Sequence, residues 1–181
     1  MAIPHVIETK RLKIVPFDES HLTDRYVAWL NDPEVVQFSE QRHHHHTLVS
    51  CRHYWQSFVG SPNLYWAIVV NDSPPSHIGN INAYVDEKNS LAEVGIIIGE
   101  KAAWSNGYGL EAWKAVCNYL LHDVGIRKVT AGTMAGNKGM LRIMEKTGMV
   151  ADGRRIRHYI FDAKEVDVIL AALFKTSFKK A

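Results

Sequence analysis

Trp104-Ser105-Asn106-Gly107-Tyr108-Gly109-Leu110-Glu111-Ala112 sets two glycines one residue apart, between an apolar run that reads as a strand and an amphipathic run with helical spacing. Gly107 and Gly109 can adopt φ values closed to residues with a Cβ, and they let a ligand approach the main chain. The helix that follows aims its unsatisfied amides and the positive end of its dipole at the same point. The stretch therefore predicts an anion site with a phosphate-bearing cofactor as its ligand. Two other phosphate motifs do not fit. A dinucleotide fingerprint needs a third glycine in the next turn, which here reads Leu110-Glu111-Ala112, and a P-loop needs Gly-Lys-Ser/Thr, which does not occur. A nucleotide-dependent oxidoreductase or kinase is disfavoured on that ground.

Strands and helices intermix on either side of this turn, with no internal repeat and no low-complexity linker. Residues 6–15 read as a first strand. Asp18 can cap a helix carrying Leu22, Tyr26, Trp29 and Leu30 before Asn31-Asp32-Pro33 breaks it. Thr47 caps another, with Leu48, Cys51, Trp55 and Phe58 on one face and Gly60-Ser61-Pro62 at its end. Residues 64–70, 78–85 and 91–98 read as strands, the last two joined as a hairpin through Asp86-Glu87-Lys88-Asn89. Alternation places Ile81, Ala83 and Val85 on one face and Asn80, Asn82 and Tyr84 on the other, so the two asparagines face either a cleft or solvent. Leu110, Trp113, Cys117, Leu120 and Leu121 give the helix after the glycines a buried stripe that ends near Gly125. Residues 128–132 form the next strand. Asn137 then caps a helix ending at Gly148 with Lys146 in its last turn, and a final strand pair over 149–170 turns at 161–164. The fold class implied is α/β (α+β), a twisted mixed sheet with helices on both faces.

Trp104-x-x-Gly107-x-Gly109 with Glu111-Ala112 resembles the acyl-CoA pyrophosphate loop of the GCN5-related N-acetyltransferase (GNAT) superfamily, in the ribosomal-protein alanine acetyltransferase-like subgroup, where Trp often holds the first position. Ala92-Glu93-Val94-Gly95-Ile96-Ile97-Ile98 is similar to the central strand of that family, and Glu8-Thr9-Lys10-Arg11-Leu12 with Val15-Pro16 resembles the opening strand of the subgroup. Asn137 to Met149 resembles Asn-x-x-Ser followed by a helix and Lys-x-Gly-Phe. The resemblance spans most of the chain and implies one N-acetyltransferase domain over residues 1–181, with a splayed central strand pair. It implies acetyl-CoA as cosubstrate, an amine acceptor and no metal.

The resemblance also assigns site residues. Trp104, Ser105, Asn106, Gly107, Tyr108, Gly109 and Leu110 would hold the diphosphate. The main chain of Ile96, Ile97 and Ile98 would bond the pantetheine arm and place an N–H near the thioester oxygen. Glu93 matches a glutamate frequent in the subgroup and is the candidate base, a cleft position being expected to raise its proton affinity by desolvation; otherwise it binds the acceptor amine or pairs with a nearby base. Asn137 matches a family asparagine that bonds cofactor or acceptor, and it can equally serve as a helix cap. The family serine three residues on is Met140 here, which cannot donate a proton to the departing thiolate. The thiolate then leaves unassisted or through water, or Tyr159 or His158 supplies the proton. Loss of that serine keeps a noncatalytic acyl-CoA-binding or sensing module as the alternative.

With 181 residues and 46% of them hydrophobic, the chain can bury a proper core and is short for two ordinary domains. A formal charge of +2 gives no reason to expect nucleic acid or a membrane surface as the main partner. Arg154-Arg155-x-Arg157 and the lysines of residues 175–180 read as solvated faces. Cys51 and Cys117 fall on apolar helical stripes and read as buried, reduced thiols. No basic segment followed by an apolar run opens the chain, and a cytoplasmic location is expected; a homodimer is left open. His43 to His46 read as native loop rather than a tag or a metal site, since adjacent residues rarely point at one ion. If that loop covers the acceptor cleft, its imidazoles would favour an acidic or hydroxyl-rich acceptor, and Arg42 would bind a carboxylate or phosphate.

Overall fold

The computed structural model describes residues 4–175, so the lysines at 176–180 lie outside the described residues. In chain order the elements are β1 (Ile7–Glu8), β2 (Leu12–Pro16), α1 (Asp24–Asn31), α2 (Pro33–Val36), α3 (Leu48–Gln56), β3 (Leu64–Val70), β4 (Ser76–Asp86), β5 (Leu91–Ile98), α4 (Tyr108–Asn118), β6 (Lys128–Met134), α5 (Lys138–Thr147), β7 (Val150–Phe161) and β8 (Lys164–Phe174). The eight strands form one sheet in the order β1-β2-β3-β4-β5-β6-β8-β7. Every neighbouring pair is antiparallel except β5 and β6, which run parallel across the α4 crossover.

Alternation along the strands sorts side chains into two cores. Leu12, Ile14, Trp66, Ile81, Ala92 and Val94 pack with Trp113, Val116 and Cys117 of α4 and Met144 of α5 on one face. The opposite face is aromatic, with Phe17, Tyr26, Trp29, Phe58 and Tyr65 gathered under α1, α2 and α3. Tyr26 and Tyr65 resolve their buried hydroxyls by bonding each other at 2.8 Å. Both cysteines are free and buried. The twisted mixed sheet with helices on both faces is thus as the periodicities predict.

Four local expectations change. Residues 6–15 form two strands and not one, because Thr9 closes a tight turn: its amide donates to the Leu12 carbonyl and its hydroxyl accepts from the Leu12 amide, each at 2.9 Å. Asp18 caps only a 3₁₀ turn over Glu19–His21, while Thr23 accepts from the Tyr26 amide and starts α1. Thr47 does cap α3, through a reciprocal bond pair with Ser50, but Leu48 is exposed and only Cys51 is fully buried on that helix. The long helix ending at Gly125 passes from α-helix into a π-helical turn over Tyr119–Val124.

Candidate active site

β5 and β6 separate where the sequence places Glu93. They pair only through Leu91 with Lys128, Ala92 with Val129 and Glu93 with Thr130. Beyond that point β5 stays bonded to β4 alone, and β6 from Ala131 to Met134 pairs only with β8. The result is a fork whose two walls offer main-chain groups without a strand partner. Residues 96–98 line one wall, and α4 and α5 start near its mouth.

Residues 104–110 shape the start of α4. Ser105 at φ 63° and Gly107 at φ 81° turn the chain through two left-handed positions, the second of which only glycine adopts without strain. Thr23, Asp32, Thr47 and Asn137 cap the N-termini of α1, α2, α3 and α5 with side-chain oxygens. Gly107 has no side chain to offer α4, so among the described α-helices this one alone keeps its first-turn amides uncapped. Those amides and the helix dipole make a site for an anion, and a diphosphate fits that chemistry. Gly109 lies in the same first turn, where an added Cβ would stand 3.5 Å from side-chain atoms of Ile98 and Ile143, so the loop sits directly over the gap between β5 and α5.

Two fasteners hold the loop. The Trp104 indole donates to the Ile98 carbonyl at 2.7 Å, tying the turn to the end of β5, so that carbonyl is engaged. The Gly99 amide donates to the Ile78 carbonyl, and strand alternation from that pair turns the main-chain groups of Ile97 to Asn80 on β4, contrary to the expectation for Ile97, and leaves those of Ile96 and the Ile98 amide toward the fork. Arg11 is the second, a residue that no local motif singles out. Its Nε meets the Glu111 carboxylate at 2.7 Å, its Nη1 donates to the Asn106 carbonyl at 2.9 Å, and its guanidinium stands 4.5 Å from the Tyr108 ring centroid. Thr9 and the Arg11 amide complete the grip on Glu111 at 2.7 and 3.0 Å. Partial burial alone would raise the Glu111 pKa, but these hydrogen bonds and the Arg11 charge hold it below the usual value. No local pattern announces a pair 100 residues apart in sequence.

The candidate chemical groups are distributed unevenly. Glu93 lies at the root of the fork, opposite Tyr84 on β4 and Thr130 on β6, with no ion pair among the described residues. It is exposed and not enclosed in a cleft. Asn137 bonds the Met140 amide through Oδ1 at 3.1 Å and the Thr133 hydroxyl through Nδ2 at 3.0 Å, which makes it a cap with one amide hydrogen left over. Met140 is half-buried against the α4 and α5 core. Tyr159 stands near the tip of the β7–β8 hairpin beside His158 and Arg42, and no hydrogen bond joins it to Glu93 or Asn137 among the described residues.

A groove of about 650 Å³ opens between α2, the histidine loop and the hairpin tip. Arg42 is built into its wall and does not wait for a ligand: it pairs with Glu40 at 2.6 Å and donates to the carbonyls of Ser39 and Ile160. Phe38 stacks on Phe161 at 5.5 Å and lies against Gly136. His43, His44 and His45 are exposed on the same wall, and no group of three His, Cys, Asp or Glu side chains converges on a metal position among the described residues. Asn80, expected either at a cleft or in solvent, is buried and meets the His77 imidazole at 3.0 Å.

A forked parallel pair with an uncapped helix over its mouth defines a class of acyl-transfer protein, and comparison with known proteins agrees. Residues 11–150 match the model of the acetyltransferase (GNAT) domain, so the chain belongs to that family and is an N-acetyltransferase. It is 24% identical over 153 residues to the human alpha/beta-tubulin-N-acetyltransferase 9, covering 76% of this chain and 71% of the relative. Among solved structures it is similar to a ribosomal L7/L12 alpha-N-protein acetyltransferase in complex with coenzyme A, with a TM-score of 0.82, 13% identity and coverage of 94% of this chain and 98% of that one. A spermidine N-acetyltransferase from Vibrio cholerae, in complex with CoA and spermine, gives a TM-score of 0.82 at 13% identity, with 93% and 98% covered. No helix among the described residues is long and apolar enough to cross a membrane.

Proposed function

We propose that residues 1–181 act as one domain that transfers the acetyl group of acetyl-CoA to the free α-amino group of a protein or peptide, in the manner of the ribosomal-protein acetyltransferase subgroup. The observation that carries this is the fork itself: its strands part directly after a free glutamate, beneath a helix start that no side chain caps. Amides of residues 105–110 hold the diphosphate, and the main chain of Ile96 with the Ile98 amide holds the pantetheine and faces the thioester oxygen, where a fixed N–H stabilises the developing oxyanion.

An α-amino group titrates near ~8, so part of the acceptor arrives protonated at neutral pH. Glu93, exposed at the fork root, takes the proton directly or through water. The amine nitrogen then attacks the thioester carbon, the new C–N bond forms, the C–S bond breaks, and coenzyme A departs as a thiolate. A thiolate is a weak enough base to leave with its proton supplied by water, which fits Met140 at the family serine position. Asn137 fixes the start of α5 beside the mouth and offers its remaining amide hydrogen to the cofactor.

The lining of the acceptor groove favours a singly charged N-terminus over a polyamine. Of the two carboxylates in that lining, Glu34 and Asp162, Glu34 is held by Lys101 at 3.0 Å, and Arg42 with three histidines stands on the same wall, so the groove offers a polycation little free negative charge. Labelled acetyl-CoA offered with peptides bearing free N-termini, their N-blocked forms, polyamines and amino sugars tests this. Label should enter only the free peptides; transfer to spermidine or an amino sugar with none to peptide would overturn it.

A further inference from the structure

The side chains that share the acceptor face at the fork include one polar group with no role so far. Asn82 lies opposite Gly95 in the β4–β5 ladder, one pleat beyond the Tyr84–Glu93 pair. Its amide makes no hydrogen bond among the described residues, although it is only half exposed and its neighbour Asn80 is bonded to His77. A half-buried amide without a partner gives up hydrogen bonds that water or a ligand must restore.

Gly95 explains how the amide lies where it does. A Cβ there would stand 2.9 Å from Asn82 Oδ1, closer than real contacts allow, so the missing side chain is what lets the amide rest across β5. Gly95 also falls two residues past Glu93, in the stretch where β6 has already turned away. Diagonal neighbours across an antiparallel pair lie about 7 Å apart, a span that one amine nitrogen bridges when each flanking side chain reaches toward it. Glu93 carries only acceptor oxygens once ionised, and the Asn82 oxygen is an acceptor as well.

We propose that Asn82 is a ligand of the acceptor amine, its Oδ1 accepting one N–H while Glu93 takes another, so that the nitrogen is aimed into the fork. This rests on the acetyl-transfer assignment above and adds to it a specificity-determining residue. Two acceptor oxygens on either side select a primary amine, which has hydrogens for both, over a hydroxyl or a blocked amide. Gly95 is the positioning residue that keeps the Asn82 amide over β5.

Kinetics with a hexapeptide bearing a free N-terminus, and amide NMR with glycinamide added to the CoA-saturated protein, test the proposal together. In Asn82→Ala and in Gly95→Ala the KM for the peptide should rise about tenfold, the loss of one hydrogen bond to a charged group, while the KM for acetyl-CoA stays within about twofold. Glycinamide should shift the Asn82 side-chain and Gly95 signals of the wild type, and N-acetylglycinamide should not. An unchanged peptide KM in Asn82→Ala, or a parallel loss of acetyl-CoA affinity, would overturn the role, as would identical spectra with the free and blocked amides. A wild type that acetylates no peptide refutes the peptide acceptor alone, because the glycinamide spectra still decide whether Asn82 meets an amine.

Discussion

At the scale of single residues, Glu93 and Met140 carry opposite expectations. Removing a positioned base costs a reaction about 10²-fold or more. Glu93→Gln should therefore lower kcat by that order with acetyl-CoA affinity unchanged, and equal turnover across the pH range would remove Glu93 as base. Met140→Ser places the family hydroxyl beside the Asn137 cap and takes a half-buried side chain out of the α4 and α5 core. Turnover should stay within about twofold while stability falls by about 1 kcal/mol, which steady-state rates and urea unfolding read separately. Both positions were legible in the sequence because each stands at a fixed offset from a recognisable neighbour. Burial was not: Glu93 turned out exposed, since whether a strand position faces a closed or an open cleft depends on elements far away in the chain.

At the scale of elements, the decisive unit is the turn over 104–110 with its two fasteners. Gly107 sits at φ 81°, so Gly107→Val forces a β-branched residue into the left-handed region at a cost of about 1–3 kcal/mol, and the turn must rearrange to escape it. Calorimetric titration should show acetyl-CoA binding weakened at least tenfold with the circular dichroism spectrum retained; unchanged affinity would discredit the turn as the diphosphate site. Arg11→Ala should also weaken acetyl-CoA binding, more modestly, by freeing Glu111 and the Asn106 carbonyl; wild-type affinity there would reduce Arg11 to a surface ion pair. The glycines were visible in the sequence because their spacing is local. Arg11 was not, because its partner Glu111 lies 100 residues away in sequence, and the divided first strand was not, because a threonine in an apolar run reads as strand until its hydroxyl is seen to close a turn on Leu12.

At the scale of the whole molecule, one sheet separates an aliphatic core from an aromatic one, and His77 lies in the second. Burial presses its imidazole down to about 4 from an ordinary 6.5, with the nearby His21 and Arg25 adding to the effect and the Asn80 bond opposing it. From pH 6.5 down to about 4 the unfolded chain binds a proton there that the folded chain refuses, so stability falls with pH, by at most about 1.4 kcal/mol per unit. Urea midpoints of His77→Gln should show a flatter slope across that window than the wild type, and parallel slopes would exclude the ring as the cause. The strand alternation that sorts the two cores was readable residue by residue, whereas the fork was not, since no periodicity states how far two parallel strands stay paired. That fork, beneath an uncapped helix, is the central claim, and a crystal structure of the protein with coenzyme A tests it most directly. The diphosphate should accept hydrogen bonds from amides of residues 105–110, with the pantetheine arm bonded to the main chain of Ile96 and the Ile98 amide between β5 and β6. Coenzyme A seated elsewhere, with that turn empty and the fork closed, would contradict it.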